Sequence, residues 1–275
     1  MSKEKKYTTS ELSEMVTKEI QQLAKATDNA RRSEKMQKYL NFCARFHNYS
    51  TRNIWLIMSR KPDATIVAGF WKWKSMGRYV KKGEKGIPIF APMIKKVEVE
   101  GENENQEKLV GFKVVYVFDV SQTEGEPLPE QPAWKSQHKD EELSRRLIQF
   151  AESQGIEVLE ECLDGDSQGE SHGGKIIVDP EAGTSTIIHE LAHELMHYEP
   201  NTPSKKKVLE MEAESVAYVV GKQLGLKDLE CPNYNAFFGV NSNDILSHLK
   251  RIQKTSTRLI EAINIEPSEG ESDEN

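Results

Sequence analysis

The stretch Thr186-Ile187-Ile188-His189-Glu190-Leu191-Ala192-His193-Glu194-Leu195-Met196-His197 contains His-Glu-x-x-His, two imidazoles four positions apart with a carboxylate directly after the first. On an α-helix, positions i and i+4 share a face, so His189 and His193 can converge on one ion. Neutral imidazole is a zinc ligand, and a catalytic zinc site uses three protein ligands and leaves its fourth position to water. Glu190 sits beside those ligands on the same helix, placed to take a proton from that water. The chemistry this spacing points to is metal-assisted hydrolysis. Such a pentapeptide also arises by chance in any helix rich in Glu and His. Here, however, Ile187, Ile188, Leu191, Ala192, Leu195 and Met196 make the rest of the helix apolar, as in a core helix. A buried helix has to satisfy two His and a Glu, because unpaired buried polar groups are costly, and a metal ion does so most simply.

A third ligand is offered downstream by Leu209-Glu210-Met211-Glu212-Ala213-Glu214-Ser215-Val216-Ala217-Tyr218. Glu210 and Glu214 share a helix face, while Glu212 points roughly away from both. Glu210 is the choice for the third ligand, with Glu214 one turn on as an acceptor that orients a ligand histidine; Glu212 stays open as the alternative. His197 repeats the i+4 spacing, but eight residues of helix span about 12 Å, too far to share an ion with His189. It is assigned to packing or to supporting the ligands. His47, His138, His172 and His248 are isolated and read as ordinary surface or capped histidines. The strand Gly174–Asp179, just before the metal helix, suits the edge on which zinc peptidases hold an extended peptide.

Helices are predicted over about 10–26 (Leu12, Met15, Val16, Ile20, Leu23 apolar), 33–58, 140–154, the stretch that carries His189 and His193, 204–223 and 244–264. The second is expected to break near Phe46–Asn53, where Asn and Ser favour caps and turns. Between Thr65 and Pro92 the pattern is of short strands joined by glycine turns, followed by a long hairpin, Lys95–Glu100 and Leu109–Val120, across an acidic loop. Short strands at 156–160 and 175–178 flank a Gly- and Ser-rich loop, 165–174. Residues 121–138, with Pro127, Pro129 and Pro132, read as a linker. The expected architecture is α+β in two domains: 8–120, a basic helix-plus-antiparallel-sheet domain, and 139–264, with an acidic disordered tail at 265–275.

Charge is distributed unevenly between these parts. Between Arg31 and Val97, 16 Lys and Arg stand against three acids, a local charge of +13 in a chain whose formal net charge is −7. A basic block inside an acidic protein points first to nucleic acid. No run of about 18 apolar residues exists, so no membrane span is expected. The N-terminus carries charge without an apolar segment behind it, so no secretory signal is expected either. Cys43, Cys162 and Cys231 are scattered and odd in number, which reads as reduced, mostly buried thiols in a cytoplasmic protein.

Several of these stretches resemble a known family. Asn41-Phe-Cys-Ala-Arg-Phe-His-Asn-Tyr-Ser-Thr-Arg-Asn, Ala64-Thr-Ile-Val-Ala-Gly-Phe-Trp-Lys-Trp and Gly77-Arg-Tyr-Val-Lys-Lys-Gly-Glu-Lys-Gly-Ile are similar to the N-terminal domain of ArdC-type antirestriction proteins. His-Glu-Leu-Ala-His-Glu-Leu-Met-His followed by Glu-x-Glu-Ala-Glu-Ser-Val-Ala-Tyr resembles the metallopeptidase domain of that family, a small zincin-like (minimal gluzincin) fold related to the ImmA/IrrE peptidases. The resemblance covers roughly residues 8–264. It implies single-stranded-DNA binding by proteins of conjugative plasmids and mobile elements, and it supports Glu210, since the glutamate three before the alanine recurs in the related peptidases.

The residues of the basic half agree with that implication. Single-strand binders combine a positive groove with aromatic faces on which bases stack. Trp71, Trp73, Tyr79 and Phe90 interleave with Lys72, Lys74, Arg78, Lys81, Lys82 and Lys85. The expected DNA contacts are Arg45, Tyr49, Asn53, Trp71, Trp73, Arg78, Lys81, Lys82 and Lys85, whereas Phe42, Phe46, Trp55 and Phe70 are expected in the core. The resulting expectation is a single-stranded-DNA-binding antirestriction protein carrying a zinc metallopeptidase domain, other divalent metals being admissible. His189, His193 and Glu210 hold the ion, Glu190 is the general base for attack of water on a peptide carbonyl, and Glu214 and His197 support the ligands. The protein or peptide substrate is unknown. Two alternatives stand beside it: a non-enzymatic DNA-binding protein with a structural or degenerate metal site, and an ImmA-like regulatory protease that cuts one specific repressor.

Overall fold

In the computed structural model, residues 6–25, 29–97, 106–128, 139–163, 167–198, 205–227, 229, 232 and 242–264 are described. The centre of the acidic hairpin loop, linker residues 129–138, Cys231 and the 265–275 tail lie outside them. In chain order the elements are α1 (Thr9–Lys25), α2 (Asn29–Arg45), α3 (Thr51–Arg60), β1 (Val67–Gly69), α4 (Phe70–Ser75), β2 (Arg78–Val80), β3 (Ile87–Val97), β4 (Gln106–Asp119), a 3-10 turn (Val120–Gln122) and β5 (Thr123–Gly125). They continue with α5 (Glu141–Ser153), β6 (Glu157–Glu160), β7 (Gly169–Ser171), β8 (Lys175–Val178), α6 (Thr184–His197), α7 (Lys206–Gln223) and α8 (Ser242–Asn264). No described helix is long and apolar enough to cross a membrane.

The protein is mixed α+β, and its contacts group into two compact units: Met1–Lys25 with Tyr49–Gln131, and Ala26–Asn48 with Pro132–Asn275. The span 8–120 is therefore divided, because α2 packs with the second unit. Its apolar face, Met36, Tyr39, Leu40 and Cys43, is buried, as is Phe46 just after it, and its Asn41 accepts a 3.0 Å hydrogen bond from Tyr218 of α7.

In the first unit a three-stranded antiparallel sheet, order β1-β4-β3, is covered by α1 and α3, whose apolar stripes (Leu12, Val16, Ile20, Leu23; Ile54, Trp55, Leu56, Ile57) are buried. The predicted break before α3 is real: Ser50 caps it, its side chain accepting from the Asn53 amide. The long hairpin forms as β3 and β4 with a bulge between Met93 and Ile94. Two expectations change. Residues 70–75 form a helical turn rather than a strand, because Trp73 turns inward one turn from Phe70 while Trp71 and Lys72 face solvent. The linker begins later than Ser121, since β5 pairs with β2. Asp119 fixes that corner by accepting from the amides of Thr65, Ile66 and Ser121, and its own amide donates to the Gln122 side chain.

In the second unit a small mixed sheet has the order β6-β8-β7, with β8 parallel to β6 and antiparallel to β7. Helix α5, capped by Asp140, and helices α6, α7 and α8 bury a common core that includes Leu143, Leu147, Ile188, Leu191, Val216, Val219, Leu249, Ile252 and Leu259. Cys43 is buried, and burial pushes its thiol up to about 12; Cys162 is exposed, against expectation.

Candidate functional site

Helix α6 starts after Gly183 and buries Ile187, Ile188, Leu191, Ala192 and Met196, which leaves its histidines along one stripe. Nε2 of His189 and Nε2 of His193 lie 3.0 Å apart, and each is 3.5 Å from the same Oε2 of Glu210 on α7. Among the described residues, these three are the group of His, Cys, Asp or Glu whose donor atoms come together closely enough to hold an ion. The donor set fits one. Ligands bound tetrahedrally at roughly 2.0–2.1 Å stand about 3.3 Å from one another, and the three separations bracket that value. Glu212 lies outside this group: it is fully buried and its oxygens bond to His197, His248 and Arg251. Glu214, one turn beyond Glu210, is half-buried, and its charge acts on His189.

The electrostatics suit ligation. Burial and the neighbouring His189 push His193 down to about 4, so its imidazole is neutral near pH 7. The His189 hydrogen bond, opposed by burial and reinforced by neighbouring positive charge, holds Glu210 down at about 2, as a carboxylate. On His189 itself, burial disfavours the cation, but Glu210 and the charges of Glu190 and Glu214 outweigh it and the pKa is raised. Burial lifts Glu190 to about 7, with Glu210, Glu170 and Glu194 adding to the effect against His189. Glu190 is thus a carboxylate able to hold or release a proton near neutrality.

These groups line a cleft of about 670 Å³ with Ser167, Gly169, Glu170, Ser171, His172, Tyr198, Lys206 and Leu209. Its wall is β7, which passes directly over α6: a Cβ on Gly169 would stand 2.8 Å from Cγ and 2.9 Å from Oε1 of Glu190. The edge of the sheet is therefore β7, inside the stretch read as a loop, and the expected edge strand β8 is the central one. Glu194 ties the turn after β7 to α6 by accepting from Ser171 Oγ and from the amides of Gly173 and Gly174, at 2.8, 2.8 and 2.6 Å. Tyr198 donates to the Ser171 carbonyl at 2.6 Å. His172, read as isolated, faces the cleft beside Glu170, 3.1 Å away.

Behind the cluster, His193 Nδ1 lies 2.9 Å from Nδ1 of His197, whose Nε2 lies 3.1 Å from Glu212 Oε2. On α8, His248 Nδ1 is 2.7 Å from Glu212 Oε1, and Arg251 donates to both carboxylate oxygens at 2.7 and 2.9 Å. Burial works against ionisation of Glu212, but the bonds from His197 and His248 and the charge of Arg251 overcome it and hold it at about 2. His248, read as an ordinary isolated histidine, is instead buried against Glu212, and Arg251 was not singled out from sequence. The signal was present, since His248 falls in the buried stripe Ile245, Leu249, Ile252, where a polar ring needs a partner.

The basic segment separates into groups engaged in holding the fold and groups facing solvent. Asn53 is buried, donating to the Phe90 carbonyl and accepting from the Phe90 amide, both at 2.9 Å, so both polar atoms of its amide brace β3. Trp73 is 0% exposed and its indole donates to the Phe118 carbonyl, so it is core and not a stacking platform. Arg78 donates to Thr123 Oγ1 and to the carbonyls of Thr123, Gly125 and Glu126, clamping β2 onto β5. Tyr49 donates to the Val67 carbonyl, and Lys81 donates to the Ser121 carbonyl from an exposed position. Trp71 is 74% exposed, edge-on to Phe70 with ring centres 5.5 Å apart and Lys74 Nζ 5.4 Å from its ring. Phe70 is thus exposed rather than core, and Tyr79, Lys82, Lys85 and, in the second unit, Arg45 are exposed too. Phe42, Phe46 and Trp55 are buried, as predicted.

Residues 6–120 match the family described as the N-terminal domain of anti-restriction factor ArdC. An uncharacterized protein of Bacillus anthracis is 30% identical over 324 residues, which take in 96% of this chain and 54% of that protein, so the chain spans about half the length of that relative. Among solved structures, the antirestriction ArdC protein from the R388 plasmid is similar in two forms. The metal-free form shares 21% identity over 78% of this chain and 81% of that chain, with a TM-score of 0.45. The Mn(II)-bound form shares 18% over 82% of this chain and 98% of that chain, with a TM-score of 0.47.

Proposed function

With its residues 6–120, the chain is of the ArdC antirestriction type, and from that premise we propose that it binds single-stranded DNA through its first unit and hydrolyses peptide bonds at a divalent-metal site in its second. The observation that carries the hydrolase reading is the convergence of His189, His193 and Glu210 on one point of a cleft with Glu190 beside them. His189, His193 and Glu210 would hold the ion, zinc being the first candidate for two imidazoles and a carboxylate. A divalent ion held there would supply a Lewis acid, able to polarise a carbonyl and lower the pKa of water. Glu190 accepts the proton of the attacking water and returns it to the leaving amine, a role for which its raised pKa is matched. Strand β7 offers an extended segment of substrate the open side of the sheet.

The DNA reading is supported by Phe70, Trp71 and Tyr79, aromatic faces in solvent beside Lys72, Lys74, Lys82 and Lys85. Base stacking on such faces is worth about 1–3 kcal/mol per base and tolerates any sequence. The deciding experiment combines metal analysis of the purified chain, gel shifts with single- and double-stranded oligonucleotides, and cleavage of a peptide library by wild type and Glu190→Gln. Bound divalent ion, preference for single strands and cleavage lost in Glu190→Gln are the expected results. Equal behaviour of the two proteins toward peptides, with the ion retained in both, would remove the peptidase assignment and leave a DNA-binding protein with a non-hydrolytic ion.

A further inference from the structure

A ligand histidine in a metal site ordinarily donates its second N–H to a carboxylate or a carbonyl. In this protein a second imidazole is interposed, and the direction of every hydrogen bond in the series can be worked out from its far end. Arg251 donates through Nε and Nη2 to Glu212. A guanidinium has no acceptor and keeps its proton, so the fully buried Glu212 it grips is a carboxylate that can only accept. His248 Nδ1 lies 2.7 Å from Oε1 and 3.1 Å from Arg251 Nη2; at that distance from a carboxylate oxygen it donates to Glu212 as well. His197 Nε2, 3.1 Å from Oε2, therefore carries hydrogen. A neutral His197 then has its lone pair on Nδ1, which lies 2.9 Å from Nδ1 of His193. One hydrogen must stand between two ring nitrogens at that distance, and it belongs to His193. The nitrogen left bare on His193 is Nε2, the atom 3.0 Å from His189 Nε2 and 3.5 Å from Glu210 Oε2.

From this order of donors and acceptors we infer that Glu212 is a positioning residue: acting through His197, it fixes the tautomer of His193 and turns the Nε2 lone pair of that ring into the cleft. The inference rests on the metal reading only for its purpose; the proton order holds in the metal-free chain. Glu212 thus sets a ligand it never touches, and His248 and Arg251 of α8 belong to the same device.

Long-range 1H–15N correlation spectra of the metal-free full chain at neutral pH read the tautomers directly. His193 is expected protonated on Nδ1 and bare on Nε2, with His197 protonated on Nε2. A His193 protonated on Nε2, or a doubly protonated His197, overturns the inference. In Glu212→Gln the fixed order is expected to disappear and Zn2+ affinity, measured by chelator competition, to fall about 10- to 100-fold. Wild-type affinity in that variant, folded by circular dichroism, overturns the positioning role. Where Glu212→Gln does not fold, His197→Phe takes its place with the same two outcomes. A wild-type chain that shows the expected tautomers but binds no divalent ion would leave the proton order standing and remove the metal reading.

Discussion

Helices α6 and α7 of the second unit and the short strands of the first differ in what their polar side chains are bonded to. A helix satisfies its own interior backbone, so side chains at i and i+4 are available to one another and to neighbouring helices. His189, His193, His197, Glu210 and Glu212 accordingly bond to one another. In the first unit β1, β2 and β5 are three residues long and joined by turns, so many backbone groups have no ladder partner and recruit side chains instead. Arg78 of β2 serves three carbonyls, and Asp119, where β4 ends, serves three amides. A polar residue on a helix face is thus a fair candidate for chemistry, whereas one among short strands is first a candidate for holding the chain together.

The contrast can be broken by substitution. The largest effects are expected in the buried parts: Glu212→Ala leaves Arg251, His248 and His197 without their acceptor and should cost about 3–5 kcal/mol in denaturant unfolding. A loss below about 1 kcal/mol would mean the network is dispensable to the fold. Trp73→Ala should cost a comparable amount, about 3–5 kcal/mol. Trp71→Ala, two residues away, should change stability by no more than about 0.5 kcal/mol while weakening single-strand binding by about 1–3 kcal/mol. Equal destabilisation by the two tryptophan variants would erase the distinction between core and platform.

Acid supplies a third test. Glu212 is depressed to about 2 from an ordinary 4.5, so its contribution is present above pH 4.5 and lost as pH falls through the folded value. That is roughly 3 kcal/mol, read from unfolding midpoints between pH 6 and pH 2, and it should vanish from the pH profile of Glu212→Gln. The smallest effect concerns exposed cations. Lys81→Glu with Lys82→Glu should weaken oligonucleotide binding and flatten the slope of log K against log salt by about 1.4, at roughly 0.7 per phosphate contact on a single strand. An unchanged slope would place the DNA elsewhere on the protein.

The helical parts were the most legible in the sequence. The apolar period placed α1, α5, α7 and α8 to within a few residues, and the i+4 rule brought His189 and His193 together, while the choice between Glu210 and Glu212 stayed open. What escaped was set by partners distant in the chain. Nothing local to Glu212 announces that α8 will present His248 and Arg251 to it, some forty residues later. Strand β7 was hidden because Gly169-Glu170-Ser171 has no apolar alternation to mark it. The helical turn of α4 was hidden by its own aromatic residues, which favour strands by type while Trp73 is drawn inward by the core. The structural bonds of Asn53 and Arg78 escaped for one reason: residue type tells that a group will bond, not that a backbone a few residues or a whole strand away has already claimed it.

Gly169 gives the cleft an unusual vulnerability. Its missing side chain is what lets the sheet edge lie against the helix that carries Glu190, with Thr186 Cγ2 also only 2.8 Å from where a Cβ would stand. A single methyl there would act as a wedge, swinging the carboxylate aside without altering its chemical identity or any of the three residues proposed to hold the ion. Gly169→Ala would therefore keep the three residues proposed to hold the ion and the proposed base Glu190 but throw them out of alignment, which would separate the placement of a proton acceptor from its presence.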